Sequence, residues 1–265
     1  MSYISKKDNV EKQYSNDKNL SARIKLHAKH STNKQGLANW LWEHYSFFDN
    51  CHVLELGCGN GEQWQTKIGT LPNGCRVVLS DFSEGMVSAV KQKYAEQKLF
   101  SFRQIDIQDI PFGDESFDVV IANHMLYHVP DLDKAFCEVK RVLKDGGIFY
   151  SSTIGSGGIQ PFLHEVFKHF YPDTNTFTQQ LSFTLQNGQD LLCKYFNDVK
   201  RFDYLDSLAI TETQDLMDWI KSTITLNSVS VEEISDDLFN YFEKMRKKDG
   251  AINIPKENGL FVSKK

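Results

Sequence analysis

The chain contains no run of 18 uncharged apolar residues, so no segment of it reads as a membrane-spanning helix. It has only five cysteines, Cys51, Cys58, Cys75, Cys137 and Cys193, with no CxxC pair among them. That odd number and scattered spacing argue against a disulfide framework and against a thiolate zinc site, and no metal is expected. Proline is scarce, at 6 of 265 residues, and no repeat or low-complexity linker interrupts the chain, which excludes collagen-like and disordered classes. Positive charge is not in excess: 30 Lys and Arg stand against 35 Asp and Glu. Residues 1–50 hold eight basic and five acidic side chains, so a weakly basic leader precedes an acidic body. Such a field does not suit a phosphate backbone, and no nucleic-acid partner is expected. The opening MSYISKKDNVEKQYSNDKN lacks the apolar centre of a signal peptide, and Ser2 replaces the glycine that myristoylation needs. A cytoplasmic location without a membrane partner is the expectation.

What the chain does have is enough length, and 40% hydrophobic residues, to bury a full core without staples. Leu37–Tyr45 spaces apolar residues at 37, 40, 41 and 45 and predicts a helix that packs on something. From residue 52 the pattern changes. Short apolar runs at 52–56, 76–80, 100–107, 117–122 and 147–153 predict strands, separated by predicted helices at 62–71, 84–97 and 132–143. Ser83 reads as the N-cap of the second of these helices, and Gly146-Gly147 as the stop of the third. Strands rich in Val, Ile and Leu that alternate with amphipathic helices predict an α/β fold with a doubly wound, mostly parallel sheet. Beyond it, 155–196 reads as mostly helical and aromatic. A strand is predicted over 199–210, helices over 211–223 and 231–247, and a last short strand over 260–262.

The most informative stretch is Val53-Leu-Glu55-Leu-Gly57-Cys-Gly59-Asn-Gly61. Glycines directly after a strand let the backbone turn tightly and let a ligand approach with no Cβ in the way. At the carboxyl end of the first strand they mark the crevice of an open α/β sheet. A dinucleotide site would need a third glycine where Glu62 stands, and two carboxylates, Glu55 and Glu62, would repel a pyrophosphate. The loop therefore suits an adenosine-containing ligand that lacks phosphate and carries positive charge. Asp81 ends the second strand 20 residues after Gly61, where an acid can accept ribose hydroxyls. Asp106 is placed to accept an adenine amino group, the Ile107 amide to donate to a ring nitrogen, and Asn123 and His124 open onto the same rim.

VLELGCGNG (53–61), LSDFSEGMV (79–87), IDIQDIPFGDESFDVVIANHMLYHVPDLDKAF (105–136) and VKRVLKDGGIFYSST (139–153) occur in an order and spacing that resembles the class I S-adenosylmethionine-dependent methyltransferases, in their small-molecule branch. The resemblance covers residues 50–155. It implies a seven-stranded sheet with a reversed hairpin at its carboxyl end and S-adenosylmethionine lying across Gly57–Gly61, Asp81 and Asp106. It further implies Phe82 packed on the adenine, residues 1–45 as a helical lid, and 46–265 as the cofactor-binding domain with an acceptor-binding insertion at about 155–225. The acceptor it implies is a small molecule. Relatives that methylate amino groups of bases or of glutamine carry Asn-Pro-Pro-Tyr after the fourth strand, where this chain has Asn123-His-Met-Leu. The missing cysteine pairs argue against arsenic as acceptor.

Methyl transfer needs a general base only where the acceptor must lose a proton. The conditional candidates are His124, then Tyr14 and His30 from the lid. Tyr14, Arg23 and His27 are expected to face the cleft, with Trp40 and Trp42 anchoring the lid. His124 and His128 stand four apart as in HExxH zinc helices, but Met125 replaces the glutamate, so a metal site there is not expected. Two other classes stay in view: a protein that binds the cofactor without chemistry, and an NAD-dependent oxidoreductase. Glu62 and the lack of a phosphate-binding Arg after Asp81 disfavour the latter.

Overall fold

A computed structural model describes residues 18–178, 180–224 and 231–265. Helices α1 (Lys18–His30) and α2 (Leu37–His44) precede strand β1 (His52–Leu56). Then follow β2 (Arg76–Asp81), α3 (Glu84–Lys93), β3 (Phe100–Gln104), β4 (Phe117–Asn123), α4 (Leu132–Val142) and β5 (Leu143–Ile154). The chain continues through α5 (Ile159–Phe170), α6 (Gly188–Leu192), β6 (Asp198–Ile210), α7 (Thr213–Ile224), α8 (Val231–Asp249) and β7 (Ile252–Lys264). The seven strands form one sheet in the order β3-β2-β1-β4-β5-β7-β6, parallel except for β7, which runs against both β5 and β6. The predicted sheet and its reversed end are present.

Strands buried on both faces read as near-continuous apolar runs, and their period of two divides them between two cores. Leu54, Leu56, Val120, Ala122 and Phe149 point to one, with Phe136 and Val139 of α4. Val53, Val119, Ile121 and Tyr150 point to the other, with Leu41 of α2, Trp64 and Val90 of α3. Ser83 caps α3 by accepting from the Met86 amide at 3.4 Å, as its position predicts.

The structure corrects five boundaries. Helix α4 ends at Val142, and Gly146-Gly147, read as its stop, lie inside β5, which starts at Leu143 and not at 147. The helix predicted over 62–71 is a pair of single 3-10 turns, Glu62–Trp64 and Ile68–Thr70. Gly69 and Thr70 just before Pro72 support helix poorly, and Trp64 is drawn under the loop into the core. Helix α3 stops at Lys93, since Tyr94 leaves helical geometry and donates its hydroxyl to the Gly61 carbonyl at 2.7 Å. Strand β3 stops at Gln104, after which Asp106 turns the chain by accepting from the Gln108 amide. The short strand predicted at 260–262 is part of a 13-residue strand.

That last correction reshapes the molecule. Strand β5 pairs with β7 only from Ile148↔Lys264 to Ile154↔Asn258, whereas β6 pairs with β7 on to Ile210↔Ile252. The β6–β7 ribbon therefore projects past the carboxyl end of β5. Pro255 interrupts the sequence pattern, and it sits where β7 no longer has β5 beside it to require an N–H donor. A third core gathers on this projection: Leu208, Ile210, Ile252 and Ile254 of the ribbon meet Leu26 of α1, Leu163 and Phe167 of α5, Leu216 and Ile220 of α7, and Leu238 and Phe242 of α8. The expected insertion at 155–225 is thus not one unit, because it contains strand β6 of the main sheet. The helical layer at the carboxyl edge draws on both ends of the chain.

Candidate functional site

Chain order reverses between β1 and β4, and the glycine loop leaves β1 at that point, where ligands of open α/β sheets bind. Gly57, Gly59 and Gly61 all adopt positive φ. Two of the three are explained by packing. A Cβ on Gly61 would stand 2.6 Å from Val90 Cγ2 of α3, and one on Gly57 would stand 2.9 Å from Met125. Gly59, at φ +54°, is different: nothing lies within 4 Å of the position its Cβ would take. Its backbone faces open space, as a ligand-contacting glycine must.

Asp81 braces the loop from the end of β2. One carboxylate oxygen accepts from the Gly59 amide at 2.9 Å and the other from the Ser83 amide at 2.9 Å. Each oxygen keeps a further lone pair for a hydroxyl. Burial raises the Asp81 pKa, opposed by those amide bonds. Asp106 follows β3 beside it, linked through the bond from the Ile105 amide to the Asp81 carbonyl at 3.1 Å. One Asp106 oxygen accepts from the Gln108 amide and side chain. Phe82 is half-buried and Ile107 is buried.

Glu55 does not line the open side. It is 2% exposed, and its carboxylate accepts from Trp64 Nε1 at 2.5 Å and from the Gln63 amide group. Two N–H donors favour the ionised form, but burial is the larger effect, and with the Asp81 charge it pushes Glu55 up to about 8. From Glu55 a chain of side chains crosses the carboxyl edge. Asn123 donates to Gln63 Oε1 at 3.0 Å and to the Tyr45 hydroxyl at 2.8 Å, and accepts from Ser152 at 2.9 Å. Burial raises the Tyr45 hydroxyl far above its ordinary range, so it stays neutral. Asn123 is therefore the junction that ties β1, β4, β5 and the end of α2 together. Sequence reasoning placed Asn123 on the rim but missed Gln63, Tyr45 and Ser152. Their meeting depends on contacts 29 to 78 residues apart, for which no local pattern exists.

His124 follows immediately with φ +50°, a costly conformation for a side chain of its size. Its amide donates to the Ser152 carbonyl at 3.0 Å, and its ring nitrogen Nε2 is buried without a partner among the described residues. Burial first, then the Lys256 charge, lowers its pKa to about 4. His30 is placed otherwise than expected. It is 3% exposed, its Nε2 meets Asp215 at 2.8 Å and its Nδ1 accepts from the Thr211 amide at 3.5 Å. With Lys29, it docks α1 onto α7, and neither ring nitrogen is left for an acceptor. Tyr14 and the side chain of Arg23 lie outside the described residues. Trp40 packs on Tyr204 of β6 and Trp42 edge-on to Trp64, so α2 spans from the ribbon to the glycine loop. A cavity of about 250 Å³ lined by Tyr150, Phe202 and Lys264 opens on the sheet away from this edge.

Residues 54–151 match the family model described as a methyltransferase domain. The chain is 36% identical over 95 residues to a demethylmenaquinone methyltransferase of Clavibacter sepedonicus, covering 36% of this chain and 38% of that one. It is 30% identical over 139 residues to a malonyl-[acyl-carrier protein] O-methyltransferase of Bacillus cytotoxicus, covering 52% and 47%. The chain thus spans half or less of the length of these curated relatives. Among solved structures, the YcgJ protein of Bacillus subtilis superposes with a TM-score of 0.60 at 17% identity, covering 86% of this chain and 97% of that one. The [4+2]-cyclase SpnF superposes at 0.58 and 15%, covering 97% and 96%, so the fold alone does not fix the chemistry. Residues 54–151 are thus similar to a methyltransferase domain, over the stretch whose motifs resemble the class I S-adenosylmethionine-dependent family.

Proposed function

We propose that this chain, built on that domain, transfers a methyl group from S-adenosylmethionine to a small-molecule acceptor. The observation that carries the reading is Gly59: a positive-φ glycine facing open space, its amide held by Asp81. Gly36, Gly146 and Gly250 also combine positive φ with an open Cβ position, so what sets Gly59 apart is its place in the loop after β1 and the bond from its amide to Asp81. Gly57–Gly61 would contact the methionyl part, Asp81 the ribose hydroxyls, and Phe82, Asp106 and Ile107 the adenine. The acids beside the loop, Glu55 and Asp81, suit a ligand that carries positive charge and no phosphate. When bound, the cofactor supplies a methyl group on a sulfonium, open to in-line attack.

What the protein's own residues add is position. Holding a nucleophile in line at near-contact distance can supply about 7–11 kcal/mol of a barrier. In this reading the braced loop and the Asn123 junction would hold one side of that line, and the helical layer on the ribbon would cover the other. His124, held as a neutral imidazole by burial, is the candidate to take a hydrogen bond from the acceptor and, for an acceptor that must lose a proton, to act as base. Relatives are named for transfer to carbon and to oxygen, and both stay within this reading.

Isothermal titration of the full chain tests it. S-adenosylhomocysteine should bind and NAD should not, and Gly59→Val should abolish binding while circular dichroism shows the fold retained. Full binding by Gly59→Val, or preference for NAD, would contradict the assignment.

A further inference from the structure

Cys51 and Cys75 end the two loops that lead into β1 and β2, and their Sγ atoms lie 2.8 Å apart. Strand register explains the meeting. The β1–β2 pairing begins at His52↔Arg76, so the residues just before it, Cys51 and Cys75, stand side by side at the amino edge of the sheet. Neighbouring strands run about 5 Å apart. That separation falls inside the roughly 4.4–6.8 Å between Cα atoms that a disulfide spans. The spacing of five scattered cysteines hides this pair, because register and not sequence distance brings it together.

The loops are knitted together around the two thiols. The Arg76 amide donates to the Cys51 carbonyl at 3.0 Å, and the Asn50 amide to the Asn73 carbonyl at 2.8 Å. The Asn73 amide donates to the Asp49 carboxylate at 3.0 Å. The Phe48 carbonyl accepts from the Cys51 amide at 3.1 Å and from the Cys75 thiol at 3.3 Å. The two sulfurs therefore meet in a fixed setting. Cys51 is fully buried, whereas Cys75 borders a cavity of about 450 Å³ that His52, Arg76 and Lys98 also line. One thiol of the pair faces an entry, and the other sits behind it.

We propose that Cys51 and Cys75 form a redox pair, which a small disulfide entering through the cavity closes to a disulfide bond and a thiol reductant reopens. The Cys75 thiolate attacks one sulfur of the small disulfide and expels its first thiolate. The Cys51 thiolate then attacks the Cys75 sulfur and expels the second. Two S–H bonds are lost and one S–S bond forms. The two electrons reduce the oxidant to two thiols, which take up the two protons. The cations around the cavity suit an oxidant that carries carboxylates, as oxidised glutathione does. Burial first, then the Cys51 thiol and the Asp49 charge, pushes Cys75 up to about 12. Attack needs the thiolate, so closure is slow at neutral pH and speeds as pH rises. The same shift makes the Cys75 sulfur a poor leaving group, so the closed bond reopens slowly. The ring it closes, 51–75, contains the glycine loop, and closing it restricts the unfolded chain. The pair lies at the opposite edge of the sheet from that loop, so this inference stands apart from the methyltransferase reading.

The test incubates the folded full chain with oxidised glutathione at alkaline pH, quenches it in acid, alkylates the remaining thiols and maps the unreduced tryptic digest by mass spectrometry. Segments 35–67 and 68–76 should appear joined, with fragmentation placing the bond on Cys51 and Cys75 and not on Cys58. Glutathione adducts on the exposed Cys137 and Cys193 are told apart by their added mass. Dithiothreitol should return both segments as free thiols, and the closed chain should melt at a higher temperature than the reduced one. Cys51→Ser should stop at a glutathione adduct on Cys75, and Cys75→Ser should leave the buried Cys51 a free thiol. In the unmodified chain, segment 68–76 recovered only as free thiol or as its glutathione adduct, or joined through Cys58 or to a second chain, would overturn the inference. That digest decides the matter even if a variant fails to fold.

Discussion

At Glu55 two forces on one carboxyl group disagree. The Trp64 and Gln63 donors favour ionisation, while burial favours the acid and raises the pKa from 4.5 to about 8. The free folded protein therefore holds a proton there that the unfolded chain releases. This residue makes the fold less stable as pH rises from the ordinary carboxylate range through about 8. A cation bound over the loop reverses the balance. Cofactor binding at pH 6–7 should expel close to one proton, and affinity should rise with pH by up to about tenfold per unit until pH 8. Titrations in buffers of different ionisation enthalpy read this directly, and Glu55→Gln should remove it. A proton count of zero in the unmodified chain would show that the cation does not reach Glu55. The sequence showed that an acid stands before the loop, but not that it points inward, since the side-chain direction is set by Trp64 and Gln63 in a turn that reads as helix.

Among the elements, the strands and α4 were legible because their period agrees with tertiary environment, as does the Ser83 cap of α3. The ribbon was not. Pro255, Asn258 and Gly259 break the apolar pattern of β7, yet a Cβ on Gly259 would stand 2.5 Å from the Phe202 carbonyl, so close strand approach requires it there. Of the segment expected as a lid over 1–45, the structure describes residues from 18 onward. The last turns of α1 are pinned through the Asp206–Lys256 pair and Asp215. Removing one partner of a buried pair typically costs about 3–5 kcal/mol. Lys256→Met should therefore speed amide hydrogen exchange across 24–32, with exchange in β1 and β4 little changed. Equal exchange in variant and parent would mean that α1 is held by its apolar contacts alone.

At the scale of the whole molecule, a sheet that reverses order at β1 and β4 sets the glycine loop at its carboxyl edge, and a ribbon that overshoots β5 carries a helical layer beyond that edge. The first half of that design was written in motifs between 53 and 153. The second depends on residues from both ends of the chain meeting over the carboxyl edge, as Ser31 meets Asp206 and Lys256, and no local pattern announces such a meeting. The measurement that bears most directly on the claim of methyl transfer is mass spectrometry of a small-molecule cell extract incubated with the full chain and trideuteromethyl-labelled S-adenosylmethionine. A metabolite heavier by one labelled methyl group should accumulate with the unmodified chain and not with Gly59→Val. Binding of the cofactor with no labelled small molecule formed would contradict the account and leave a binding protein in place of an enzyme.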